Sequence, residues 1–319
     1  MSDRTDGSNG SETTTEEPSP AAFNRRVIAE FRANGGAVGG MFAGAPLVLL
    51  TTAGARTGRP HTNPAVYARD GERLLVFASN AGGPRNPAWY HNLLAHPQVT
   101  VEIGDGRGGV AVHAARAVPL DGEERDRQYA LQAERDPAFA AYQDATARTI
   151  PVVALHLLDL TGDPERGRAI GEQLKRHHDD LRAQVGRVRA AVDRRLAEGA
   201  PDTGANVAAA ARPEGGADLM AHCLSLCDAL GLHHIREDGA FTAFEAAYPH
   251  LRPAVTRLRA EHRAVADLLT DLRTLLREDT PTPDLPALRA DLARIDAELD
   301  RHFTYEEESL LPPLGVATR

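Results

Sequence analysis

Six side chains in the second half of this sequence have the types and spacing of a metal site. His178 stands alone, His233 is followed four residues later by Glu237, His262 stands alone, and His302 is followed four residues later by Glu306. An i, i+4 separation sets two side chains on one face of a helix, one turn apart. A histidine and a carboxylate so placed direct an imidazole nitrogen and a bridging pair of oxygens to the same point. Two such pairs, with one histidine from each of two further helices, surround two metal ions with mixed nitrogen and oxygen donors. That donor set suits iron or manganese better than thiolate-preferring ions. A single His–Glu pair on a helix is usually a solvated surface pair. Four helices contributing in order supply the context a motif requires. His177, His234 and His250 read as surface residues. Cys223 and Cys227, also four apart, read as two small buried apolar residues.

A second constellation lies in the first half. Leu49 to Pro64 reads LLTTAGARTGRPHTNP: an apolar strand, a glycine-containing turn with Arg56, Thr57, Gly58, Arg59 and His61, then another strand. Backbone amides in such a turn, flanked by guanidinium groups, make an anion site. Ser79, Asn80 and the glycines that follow form another amide-rich loop, and Pro87 opens a helix carrying Trp89, Tyr90 and Asn92. Two amide-rich loops and an aromatic ring suit a phosphorylated planar cofactor, although glycine turns taken singly mostly just turn.

The elements that must position these groups change near residue 162. Before it, β-branched runs at 46–52, 74–78, 99–103, 110–117 and 152–158 alternate with Gly, Pro and Asn punctuation, and helical patterns fall at 22–33, 86–95 and 122–146. Short strands around one apolar centre predict a closed or half-closed barrel with helices packed on it. Beyond it, long helical patterns at about 170–198, 216–248, 252–278 and 284–311 predict an up-down-up-down bundle. The expected organisation is a multidomain α+β chain: a disordered tail over 1–20, a split β-barrel over 21–160, a linker over 161–172 and an all-α four-helix bundle over 173–315. A net charge of −9 argues against nucleic acid as a main partner. Two cysteines and no apolar leader point to a reducing cytoplasm. Phe23, Val27, Ile28 and Phe31 share one helical face, so residues 22–33 either cover the barrel or make peripheral contact with a membrane.

Both halves resemble known families. The stretches TTAGARTGRPHTNP, DGERLLVFASNAGG, NPAWYHNLLAHPQVTV and YQDATARTIPVVAL are similar to the deazaflavin-dependent nitroreductase family. That resemblance implies a flavin-reductase-like split barrel and the 8-hydroxy-5-deazaflavin coenzyme F-420. Arg56, Ser79, Asn80, Trp89 and Asn92 would line the coenzyme and Tyr142 would lie by the substrate. It implies hydride transfer to a quinone or nitro acceptor, with Tyr142 able to donate a proton. The sequence departs from the family at Ala55 and His61, where basic residues are common, and at Asp136 and Phe139, where nitroimidazole-reducing members carry aromatic hydroxyls. The segments HHDDLR, AHCLSLCDALGLHHIRED, YPHLRPAVTRLRAEH and HFTYEEESLLPPL resemble the hemerythrin-like HHE cation-binding family. This implies two iron ions held by His178, His233, Glu237, His262, His302 and Glu306, and oxygen, peroxide or nitric oxide as ligands to sense or scavenge. Ala266 stands where oxygen carriers place another histidine, leaving a position that Glu261, His222 or Tyr305 could fill. The alternative is a carrier that binds its ligand without turnover, joined to a regulatory metal-binding domain.

Overall fold

The computed structural model describes residues 19–199, 214–276 and 284–318. The tail expected over 1–20 therefore lies outside the described residues except for Ser19 and Pro20. Ser19 caps helix α1 (Pro20–Ala33) by accepting from Ala22 N–H. Six strands follow: β1 (Leu47–Ala53), β2 (Pro60–Asp70), β3 (Arg73–Phe77), β4 (Gln98–Gly104), β5 (Val110–Pro119) and β6 (Val152–Leu157). They close into an antiparallel barrel in the order β1-β2-β3-β6-β5-β4, with β4 pairing back onto β1. Helix α2 (Ala88–Ala95) precedes β4, and α3 (Gly122–Arg135) and α4 (Pro137–Asp144) precede β6. The single helix expected over 122–146 is thus two, because Asp136 leaves helical geometry ahead of Pro137 and caps α4.

Side-chain alternation explains which face of each strand goes where. Val48, Leu50, Leu74, Val76, Val101, Val153 and Leu155 fill the barrel interior. Outside it, Leu47 and Leu49 pack on Val27 and Phe31 of α1, and Leu75 and Phe77 pack on Tyr129 and Phe139. The apolar face of α1 is thereby spent on the barrel, and Arg32 fixes the helix by a two-pronged ion pair to Glu102 of β4. No helix among the described residues is long and apolar enough to cross a membrane.

Helices α5 (Pro164–Gly199), α6 (Glu214–Ala247), α7 (Arg252–Leu275) and α8 (Leu285–Leu310) form the bundle, α5 and α7 each packing between α6 and α8. Helix α5 begins at Pro164, so the linker predicted over 161–172 is mostly helix and the true connector is a few residues long. Two apolar clusters fill the bundle, one running from Leu181 to Phe303 and one built on Phe241, Phe244, Val255, Leu258 and Leu310. On every helix the predicted metal residues fall between these clusters.

The bundle lies against the barrel through α6, which crosses the outer faces of β4 and β5. Thr100 donates to the Ile235 carbonyl at 3.2 Å, and the Thr242 hydroxyl donates to the Val112 carbonyl. Gly239 makes the approach possible: a Cβ there would stand 2.8 Å from Ala114 N. A glycine inside a helix costs about 1 kcal/mol relative to alanine, and here it lets two backbones touch.

Candidate metal centre and coenzyme groove

The histidine layer is buried throughout. His178, His233, His262, His302, Glu237 and Glu306 are all within a few per cent of full burial. Three of the rings are aimed by a second carboxylate. Nδ1 of His178 donates to Glu307, Nδ1 of His262 to Asp238, and Nδ1 of His302 to Glu261, each at 2.9 Å. Arg182 holds Glu307 in turn at 2.8 Å. A carboxylate on one ring nitrogen fixes the orientation of the other nitrogen and raises its basicity as a ligand. The Nε2 atoms of these three rings face inward.

The inward atoms have no hydrogen-bond partners. Nε2 of His178, His233, His234, His262 and His302 and both oxygens of Glu237 and of Glu306 are buried and unsatisfied. Leaving one buried charged group unpaired costs several kcal/mol, so a set this large requires a counter-charge. The spacing supplies the answer. His178 Nε2 lies 3.4 Å from Glu237 and 3.5 Å from Glu306, His262 Nε2 lies 3.4 Å from Glu237, and His302 Nε2 lies 3.6 Å from Glu306. These contacts, and that of His233 Nε2 with Glu237 at 3.0 Å, lack the geometry of hydrogen bonds. They are close to the separation of about 3 Å between neighbouring ligands on a cation with bonds near 2.1 Å. The donors fall into two groups, His178 with His233 and Glu237, and His234 with Glu237, His262 and His302, each spanning no more than 4.8 Å. Glu237 belongs to both, and Glu306 reaches a histidine of each. The residues fit two cations, with Glu237 and Glu306 within reach of both donor groups.

His234, expected on the surface, is instead 5% exposed and stacks on the His262 ring at 4.3 Å between centroids. It joins Glu237, His262 and His302 in one donor group, where the sequence leaves a position open at Ala266. His234 and Glu237 are an i, i+3 pair, so one carboxylate can reach both adjacent histidines, but that spacing alone does not set His234 apart from a surface residue. Of the groups suggested for that position, Glu261 is spent on His302 and Arg257, His222 is exposed, and Tyr305 lies under the Arg257 guanidinium. His177 is half-buried and His250 is exposed. Burial alone would lower the pKa of His178, but the carboxylates of Glu237, Glu306 and Glu307 outweigh it and lift it to about 11. In the same way burial is outweighed at His262 by Asp238 and Glu237, to about 10. His234 moves the other way, well below the ordinary range, through burial and the neighbouring imidazoles. Cys223 and Cys227 are buried free thiols, pushed by burial up to about 12 and about 11.

In the barrel, the turn between β1 and β2 is set by its own backbone bonds from Gly54 N to Arg59 O and from Gly58 N to Gly54 O. Asn92 of α2 braces it: its carbonyl accepts from Ala55 N at 3.0 Å and its amide donates to Thr52 at 3.1 Å. The Asn92 side chain therefore shapes the turn from beneath. Arg56 and Thr57 are exposed on it, and Gly58 takes the left-handed φ of 68° that the bend requires. Arg59 reaches across to Asp228 of α6 at 2.7 Å, and His61 lies exposed within β2. Trp89 is 6% exposed and belongs to the barrel core. Ser79 and Asn80 open the second loop, where Asn80 and Ala81 both hold φ at 49°, a conformation uncommon for residues with a Cβ. Arg148, not singled out by the sequence, clamps that loop through Ser79 O at 2.6 Å, Asn86 at 2.6 Å and Gly83 O at 3.0 Å. Tyr142 is half-buried beside it, its backbone against Gly82 and its ring on Phe139. Asp136 is spent as the α4 cap and Phe139 is buried.

Comparison with known proteins agrees with both halves. The family model described as F420H(2)-dependent quinone reductase matches residues 23–156, and the hemerythrin HHE cation binding domain matches residues 169–315. An F420H(2)-dependent quinone reductase of Mycobacterium tuberculosis is 40% identical over 127 residues, covering 39% of this chain and 83% of that protein. A second, putative one from the same organism is 33% identical over 110 residues, covering 34% and 88%. A solved F420-H2 dependent reductase is 37% identical over 35% of this chain and 94% of its own, with a TM-score of 0.32. Through its barrel this chain belongs to the F420H(2)-dependent quinone reductase family, and it carries a hemerythrin HHE cation binding domain behind that barrel.

Proposed function

We propose that the barrel passes a hydride from reduced coenzyme F-420 to a quinone- or nitro-type acceptor, and that the bundle holds two iron ions that sense or scavenge oxygen, peroxide or nitric oxide. The orphaned donor set carries the two-part reading, since a reductase barrel alone has no use for it. Bound reduced deazaflavin supplies the hydride, and the protein supplies binding, orientation and exclusion of water. Arg56 and the turn Gly54–Arg59 would hold the anionic tail, Arg148 keeps the Ser79–Gly83 loop in its strained shape, and the Tyr142 hydroxyl would give a proton to the reduced acceptor. Iron in the bundle supplies a Lewis-acid and redox centre. Glu307, Asp238 and Glu261 keep His178, His262 and His302 turned toward it. A quinone is the better fit as acceptor, because Asp136, spent as a helix cap, and buried Phe139 stand where the family resemblance puts aromatic hydroxyls in nitroimidazole-reducing members.

Mixing the protein with reduced coenzyme F-420 and menadione should restore the visible absorbance of the oxidised coenzyme at a rate proportional to enzyme. Metal analysis of the same preparation should find about two irons per chain, as expected for a di-iron carboxylate bundle. Zinc or no metal would overturn the bundle assignment, and no turnover with any quinone would overturn the barrel assignment.

A further inference from the structure

Where α6 crosses the barrel, the two domains leave a gap. Between the outer face of β4–β6 and helices α5 and α6 lies a cavity of about 480 Å³, with His233, Glu237 and Glu306 at its inner end. Oxygen, peroxide or nitric oxide needs little more room than one water, about 30 Å³. This cavity is over ten times larger and falls within the range of small-molecule sites, roughly 300–1,000 Å³. Apolar side chains line much of it, among them Leu157, Ile170, Leu174 and Phe244.

The charged groups on the lining are unevenly matched. Of its carboxylates, Asp159 accepts from Thr161, while Glu237 and Glu306 sit among the histidines with oxygens that no hydrogen bond satisfies. Arg166 lies against Asp159 and Asp163. Arg236 is different. It stands on α6 beside Glu237, lines the cavity, and makes no hydrogen bond or ion pair with any described residue; its Nε is buried and unsatisfied. Arg116 of β5, exposed at the rim, lines the same cavity, and its side chain makes no hydrogen bond or ion pair with any described residue. A guanidinium nitrogen withdrawn from water without a partner is costly, and the group matches a carboxylate in shape and charge.

We infer that this interdomain cavity binds an organic carboxylate with an apolar chain, its head on Arg236 and Arg116 and its chain along Ile170, Leu174 and Phe244, which gives the metal end of the bundle a ligand larger than a diatomic. The inference does not depend on which metal is bound or on what the barrel reduces. It is tested by calorimetric titration of the full chain with decanoate below its micelle threshold, alongside decanamide, the uncharged analogue of the same length. Decanoate should bind one per chain, and decanamide at least tenfold more weakly. Arg236→Gln should weaken decanoate about tenfold with an unchanged thermal melt, and the surface variant Arg116→Gln should weaken it by a smaller factor. Absence of saturable decanoate binding would overturn the inference. So would equal binding of decanamide, or undiminished decanoate binding by a folded Arg236→Gln protein. Should Arg236→Gln fail to fold, Arg116→Gln and decanamide decide: loss of affinity in both supports the site, and no loss in either rejects it.

Discussion

Each of three histidines in the bundle spends Nδ1 on a carboxylate and keeps Nε2 for the centre, so the outer carboxylates should matter nearly as much as the ligands. Glu307→Gln removes the acceptor for both His178 and Arg182. Its metal affinity should fall about 10- to 100-fold, measured by chelator competition. The same variant has a pH signature. Burial opposes ionisation of Glu307, but His178 and Arg182 overcome it and hold its pKa at about 2, below the ordinary 4.5. Its folded pKa is depressed, so its contribution to stability is present above pH 4.5 and is lost as pH falls toward 2. Acid unfolding of the metal-free wild-type protein should steepen through that window, and the Glu307→Gln melt should be flatter there. His234→Ala tests the ligand that the sequence did not reveal. It should drop the metal content from about two ions per chain toward one, because His234 serves only one of the two donor groups. The convergence of the six proposed donors at i, i+4 or single positions was legible because helical periodicity sets them on one face. His234 was not, since adjacent residues on a helix point about 100° apart and its role appears only once α6 and α7 are packed.

At the level of elements, α6 is apolar on more than one side because it has two neighbours to satisfy, the bundle core and the outer wall of the barrel. Gly239 sits at the closest approach. Gly239→Val should push α6 off β5, lower the melting temperature and expose the short connector near residue 160 to proteolysis, while leaving the barrel interior packed. Strand and helix positions were mostly readable, from β-branched apolar runs bounded by turn residues in β3, β4 and β6 and from 3.6-residue periodicity in the four long helices. Two features were not. Residues 161–172 are polar and glycine-containing, which signals a linker, yet from Pro164 onward they fold as the first turns of α5, with Gly171 and Ile170 packed toward Leu314 and the second bundle cluster. The role of Arg148 was also invisible, because its partners Ser79, Gly83 and Asn86 lie more than sixty residues away in sequence.

Across the whole molecule the two domains meet through a helix, a cavity and one ion-pair relay, Arg59–Asp228–Arg273, which ties the expected phosphate turn to α6 and α7. Exposed pairs of this kind contribute little to stability, so Asp228→Asn should leave the melt unchanged and shift KM for the coenzyme by only a few-fold, measured in the menadione assay. Cys223 and Cys227 are sealed in the bundle core with thiols pushed up to about 12 and about 11. They should ignore a thiol reagent in the native protein and react once the bundle opens. Helix α6 carries His233, His234 and Glu237 on one flank and touches strand backbone with the other. If the bundle holds metal as proposed, its removal would leave uncompensated charge buried on a helix that is also the outer wall of the barrel, so both halves would share the cost.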